Sequence, residues 1–470
     1  MMKRKRLNRR NFIKNASIAC MGFGLTNSLY SMKNLNKLTS LLAKNPPFSD
    51  YKAMVYFFLQ GGNDGFNTLM PKTGTAYNDY ANTRSNVALS NDENSGGMLP
   101  IGTGDYGIHP SLVDLQSQYN NSELAFLSNI GAMIEPMTKE EYNAGTKQTP
   151  LGLYSHSDQF KHWQTGKPHI RTNIGWGGEI ADLIGSNNSN TNISMNISLS
   201  GSNIFQYGND SIEFSINQDG AVKPRGWDYT WGHHPQRRAA TDSILHAAYT
   251  DMYRKTYADI FKGSIAAAEE FEDAIDQVPE FSTQFSDHYI SQDFKMIAKT
   301  IAARDTLGFQ RQIFFVQYGG WDHHNDLLTG QADRLTNVNN ALEEFNQVLK
   351  EIGMFDNVVT YVISEFGRRL TSNGNGTDHA WGSNVMVMGG KVNGNNIYGT
   401  YPSLAINSER YVHNGALIPT TATDSMFSEL ALWFGVEQSD LLTLFPNLGN
   451  FHNVNEISTS NPPIGFMDFS

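Results

Sequence analysis

The chain has 470 residues, with 35 Lys and Arg against 46 Asp and Glu, and a formal net charge of -11. Its 39% hydrophobic and 11% aromatic content supplies a large core, which argues against a disordered chain. The length suits one large α/β domain with insertions or two domains, and the acidic balance speaks against nucleic-acid binding.

Residues 1–14, MMKRKRLNRRNFIK, carry seven Lys and Arg and no acid. A short stretch of small and apolar residues follows, ASIACMGFGLTNSLYSM. A basic segment and then an apolar one predict an export signal over 1–32. Arg9-Arg10 followed by NFIK resembles the twin-arginine type. That reading makes the export machinery a partner and the periplasm or cell surface the destination. The apolar stretch is too short and too mixed for a stable membrane span. Removing the seven positive charges takes the net charge from -11 to about -18. The only cysteine, Cys20, lies in the signal, so residues 33–470 have no disulfide, thiol nucleophile or Cys-held zinc. Residues 33–50 read as a linker and 51–470 as the α/β domain.

Short apolar runs punctuate that domain: 52–59 (KAMVYFFL), 124–127, 313–318, 358–363 and 385–388. Such runs fit strands buried on both faces, as in a mostly parallel sheet. Helical patterns fall at 111–119, 239–275, 293–304 and 332–352, the last with Leu335, Val338, Leu342, Phe345 and Leu349 at helical spacing. Residues 313–363 form a strand–helix–strand unit. Residues 185–235, rich in Asn, Ser and Gly with alternating stretches such as SIEFSI, read as a β-rich insertion.

In such sheets, function gathers at the carboxyl ends of the strands. Four polar clusters fall there. Asp64 lies in GGNDG after the first run. Asp322, His323 and His324 follow Gly319-Gly320. Glu365 ends the 358–363 run, and Asp378-His379 precedes 385–388. Carboxylates and imidazoles together suit zinc, or manganese, magnesium or calcium where oxygen donors dominate. Singly, each group reads as a turn or cap residue; their shared edge is what points to a metal site. A further segment, YSHSDQFKHWQTG (154–166), places Ser155 and Ser157 where either caps a helix running to about Thr165. A serine hydroxyl at a helix N-terminus also faces a site that favours anions, and a nearby metal would activate it as a nucleophile.

As a set, GGNDGFNTLMP, YSHSDQFKHWQTG, GGWDHH, SEFGR and TDHAWG resemble the exported bacterial family catalogued as domain of unknown function 1501, related to the alkaline phosphatase and sulfatase superfamily. The resemblance implies a three-layer α/β sandwich and a hydrolase of phosphate or sulfate monoesters, acting on a small-molecule or glycan ester. It also implies one or two divalent ions. Asp322 and His379, with His324 or its neighbour His323, would form one ligand set; Asp64 and Glu365 would form the second. Asp378 would compensate for Phe366, which stands where the superfamily often has a histidine. Ser155 aligns with the family's serine and becomes the nucleophile, beside His156, with Ser157 as the alternative. Asn67 and Arg368 are the substrate-binding candidates. Cysteine-derived formylglycine is ruled out, which disfavours a sulfatase mechanism of that type. The competing expectation is a non-catalytic exported protein that binds a glycan or assists a partner.

Overall fold

The computed structural model describes residues 48–470. The expected signal at 1–32 and nearly all of the linker at 33–50 lie outside the described residues. Ten strands form the main sheet: β1 (Lys52–Leu59), β2 (Leu124–Gly131), β3 (Asn196–Ser198), β4 (Phe214–Asn217), β5 (Gly220–Ala221), β6 (Arg311–Tyr318), β7 (Val358–Ile363), β8 (Ser383–Met388), β9 (Ile397–Tyr398) and β10 (Thr421–Ala422). Their order is β9-β2-β8-β7-β1-β6-β3-β4-β5, with β10 also on β2. The pairings β1–β7, β1–β6, β6–β3, β3–β4, β2–β9 and β2–β10 are parallel. Strand β8 is antiparallel to both β7 and β2, and β5 to β4. The five strands expected from the apolar runs are the centre of this sheet. The 185–235 segment contributes β3, β4 and β5 at one edge and is otherwise mostly turns and irregular backbone.

Strand β1 shows why both faces are covered. Successive side chains of a strand point to opposite faces. Phe57 meets Phe294 edge-on at 5.1 Å, and Phe294 packs on Phe345. Those phenylalanines belong to α1 (Tyr289–Ala302) and α2 (Leu327–Glu351). On the other face, Tyr56 packs on Trp176, and Trp176 on Phe427. Each fully buried aromatic of this kind contributes roughly 1.5–3 kcal/mol. Phe58, on the same face as Tyr56, meets Phe160 at 4.9 Å and so fixes the helix His156–Thr165 against the sheet. Both sheet faces are layered with helix, as expected for an α/β sandwich.

The helical pattern at 239–275 resolves into two helices, His234–Leu245 and Met252–Ile275. Among the described residues, no helix is long and apolar enough to cross a membrane.

The helix Thr423–Phe434 is buried along its whole length, and Asp424 sits in it with no exposure. Burial pushes the Asp424 carboxyl from 3.8 up to about 8. The unfolded chain therefore releases this proton near pH 4 and the folded chain near pH 8. Stability contributed by the neutral acid is fully present below pH 4 and declines as pH rises to 8, by up to about 1.4 kcal/mol per pH unit. Asp424→Asn should remove this slope from denaturant midpoints measured between pH 5 and 8. An unchanged slope would assign the pH dependence to other groups.

Candidate metal centre

Strand β1 is followed by Gln60-Gly61-Gly62, and its pairing continues there, where Trp321 N–H donates to the Gln60 carbonyl at 3.1 Å. Gly61 and Gly62 have φ of 125° and 87°. A Cβ on Gly61 would meet the backbone of Trp321 and Asp322, and one on Gly62 the Phe366 ring. Only glycine takes both the conformation and the close approach. In return, their N–H groups reach the buried Glu365 carboxylate at 2.9–3.2 Å, and Ser364 Oγ adds a bond at 3.1 Å.

The antiparallel course of β8 explains how His379, which precedes its strand, reaches the edge where the parallel strands end. Residues 367–369 pair with 378–381: Ala380 N–H donates to the Gly367 carbonyl, and Arg369 N–H to the Asp378 carbonyl. This short ladder stacks His379 on the Phe366 ring, with centroids 4.7 Å apart and the planes inclined by 29°. The same phenylalanine lies 4.8 Å from the His156 ring. Phe366 thus supplies an apolar wall to two imidazoles.

Three imidazoles converge on Asp322. His379 Nδ1 donates to the Tyr154 carbonyl at 2.9 Å, so its Nε2 carries a lone pair, and that atom lies 3.2 Å from Asp322 Oδ1. His324 Nδ1 faces the Asp378 carboxylate at 3.2 Å, which likewise bares its Nε2. That Nε2 lies 3.0 Å from His379 Nε2 and 3.1 Å from Asp322 Oδ1. His156 Nδ1 meets Glu365 Oε1 at 2.9 Å, and its Nε2 lies 3.4 Å from Asp322 Oδ2. Each ring has one nitrogen fixed by an outer acceptor and the other turned inward, the arrangement that outer partners impose on metal-ligating histidines. His156, Asp322 and His379 form a group whose ligand atoms all lie within 4.8 Å of one another. The group is partly open to solvent, the Asp322 side chain being 45% exposed.

The charges of the group shift one another's titration. Hydrogen bonding to Glu365 raises the His156 pKa against the opposing effect of burial. Burial disfavours the Asp322 carboxylate, but Arg368, His156 and His324 together hold its pKa below the usual value. Burial, with the charges of His156 and Arg368, lowers that of His379.

Several expected site residues stand elsewhere. His323 is 8% exposed, with Nε2 unpartnered and its ring beside Gly330; burial pushes its pKa down to about 4. His324, not His323, joins the cluster. Asp64 is fully buried in an ion pair with Arg84 and accepts the Asn67 N–H, so the structure does not bring it to Asp322. Asn67 is buried too, its amide bonded to the Val87 carbonyl and the Tyr80 hydroxyl. Arg368, expected to grip a substrate anion, is 1% exposed. Its guanidinium donates to the carbonyls of Gly61, Gly62, Trp321 and Thr377 and to Asp322. It therefore offers no edge to a ligand and acts by fixing Asp322. Asp378 is an outer partner of His324, and Glu365 of His156.

Ser155 is the N-cap residue of the helix His156–Thr165, yet its side chain makes no capping bond. Its Oγ instead lies 3.2 Å from Ser157 Oγ. Both its neighbours touch the cluster, Tyr154 through its carbonyl and His156 directly. Tyr154 has φ 73°, a conformation that costs a non-glycine residue about 1–3 kcal/mol. Stacking on His413 at 4.8 Å and a hydroxyl contact with Tyr142 at 2.9 Å hold it there. Sequence reasoning missed the Tyr154 carbonyl and Arg84. Backbone acceptors carry no sequence signal, and Arg84 lies within an unremarkable polar helix, Gly74–Arg84.

The model of the family described as "Protein of unknown function (DUF1501)" matches residues 51–440. The chain belongs to this family. No curated protein sequence matches it. Solved structures similar to the chain include a PsFucS1 sulfatase from Pseudoalteromonas sp., at 10% identity and TM-score 0.34, covering 86% of this chain and 71% of that one. They also include the lipoteichoic acid synthase LtaP from Listeria monocytogenes, at 9% identity and TM-score 0.34, covering 85% and 76%. A third is an alkaline phosphatase PafA variant, at 12% identity and TM-score 0.27, covering 68% and 64%.

Proposed function

We propose that this DUF1501 protein is a metal-dependent hydrolase of phosphate or sulfate monoesters, exported by the twin-arginine route. One observation carries the metal: imidazole lone pairs on His324 and His379 face each other and the Asp322 carboxylate at 3.0–3.2 Å. Arg368 balances the charge of Asp322, but the two facing imidazole nitrogens repel unless a cation or a proton lies between them. Their spacing is close to the roughly 3.3 Å between neighbouring donors of a tetrahedral ion with bonds of about 2.0–2.1 Å. A donor set of Asp322, His324 and His379, with His156 beside it, suits zinc better than magnesium or calcium, which favour oxygen.

A bound divalent ion would supply Lewis-acid polarisation of an ester oxygen and lower the pKa of a nearby hydroxyl. The chain's own residues do the rest. Arg368 and Glu365 fix Asp322 and His156. Ser155, whose hydroxyl makes no capping bond and whose neighbours are Tyr154 and His156, provides the attacking hydroxyl, with Ser157 as alternative. The first turn of its helix offers N–H groups to a transferring anion. The substrate is a small-molecule or glycan ester.

The Asp64–Arg84 pair and Phe366 favour a single ion over two. They also lend support to the second reading, a non-catalytic exported glycan-binding or partner-assisting protein. Metal analysis with a screen of aryl phosphate and aryl sulfate esters separates the two. The hydrolase reading expects about one ion per chain and turnover lost in Ser155→Ala with metal retained. A metal-free, inactive protein would sink it; undiminished turnover in Ser155→Ala would remove that serine.

A further inference from the structure

A cavity of about 560 Å³ lies beside the first turn of the helix Thr423–Phe434. It contains none of the residues grouped around Asp322. Met137, Pro419, Phe451 and Ile464 give it apolar walls, and Arg410 and Glu141 add one charge of each sign. Its chemistry lies at Ser425 and His452, both of which line it. Ser425 Oγ is 2.8 Å from His452 Nε2, the hydrogen-bond reach that pairs a nucleophile with its base.

Two further features suit that pairing. Burial lowers the His452 pKa, which favours the neutral, basic imidazole near pH 7. Ser425 is the third residue of its helix, whose N-cap is Ala422 with no side-chain cap. The opening N–H groups of a helix have no intrahelical partner, and the positive end of the helix dipole falls there. Ala422 and Ser425 both line the cavity, so that turn borders the space where a carbonyl oxygen would gain negative charge.

We propose that this cavity is a second hydrolytic site, in which Ser425 and His452 cleave a short-chain carboxylic ester. Ser425 Oγ bonds to the ester carbonyl carbon as its proton passes to His452 Nε2. The bond from that carbon to the alcohol oxygen then breaks, and the alcohol leaves with the proton from His452. Water repeats the sequence on the acyl-serine, releasing the acid and restoring Ser425. Apolar walls suit a short acyl group, and a cavity of this size leaves room for the alcohol part of the ester beside it. The inference stands apart from the metal-site reading, because no group of that cluster takes part.

The test uses the full chain with p-nitrophenyl acetate and butyrate, each with and without EDTA, and a fluorophosphonate probe with peptide mass spectrometry. The expected result is hydrolysis that survives the chelator and a covalent adduct on Ser425. Ser425→Ala should lose the adduct and roughly 100-fold or more in rate. His452→Gln, which can still accept from Ser425, should lose rate while its melting curve stays near that of the parent. No hydrolysis and no adduct in the parent protein would overturn the proposal. Adducts confined to other serines, or full chelator-resistant hydrolysis by Ser425→Ala, would do the same.

Discussion

Asp322→Ala should yield a folded protein that no longer holds a divalent ion. Asp322 is the residue on which His156, His324 and His379 all converge. It is also the acid that Arg368 fixes. Its side chain is nearly half exposed, so removal costs little core packing, and metal content should fall from about one ion per chain to near zero. A metal supplies several kcal/mol of charge stabilisation. At about 1.4 kcal/mol per decade, the loss in ester turnover is roughly 10³-fold. Glu365→Gln acts one step further out. It keeps the shape but weakens the acceptor for His156, and should lower metal affinity by about 10–100-fold. Isothermal titration with zinc, on protein stripped by chelator, reads both variants. Equal affinity in Asp322→Ala and the parent would show that zinc is not held by Asp322.

Arg84→Met should produce the largest fall in stability. Arg84 and Asp64 are both fully buried. The arginine also donates to the carbonyl of Arg369 at 2.9 Å. Removing the guanidinium leaves a carboxylate without its counter-charge in the interior, which costs about 3–5 kcal/mol. Combining Arg84→Met with Asp64→Leu should recover much of that loss, because no lone charge then remains. Urea midpoints of the two single variants and the double variant measure the coupling. Additive losses would mean that the pair is not energetically linked.

The central strands were legible because continuous apolar runs such as KAMVYFFL have few alternatives in a chain of this size. The edge was legible too, since glycine and acid follow those runs directly. The direction of β8 was not. An inner strand reads as apolar whichever way it runs, and only the register of Thr360 with Met388 and Val362 with Met386 fixes it. Within the site, the sequence brought forward Asp322, His324 and His379 and left the choice between adjacent histidines open. One residue of difference sends His323 under Gly330 and His324 to the cluster. Arg368 and Asn67 read as ligand-binding groups because polar side chains near a strand end usually meet solvent. Here the interior needs them as donors to buried carbonyls, Arg368 to those of the loops after β1 and β6 and Asn67 to that of Val87.

The bond from His379 to the Tyr154 carbonyl joins residues 225 apart, and His324 and His379 are 55 apart. An ion held there would tie together three segments that meet only after the sheet has closed. It would behave as a removable cross-link, stabilising the folded chain by about 4 kcal/mol at a thousand times its dissociation constant. Loading would then report that folding is complete. If the chain is exported in folded form, as proposed, the ion would be acquired on the side of the membrane where the chain is made.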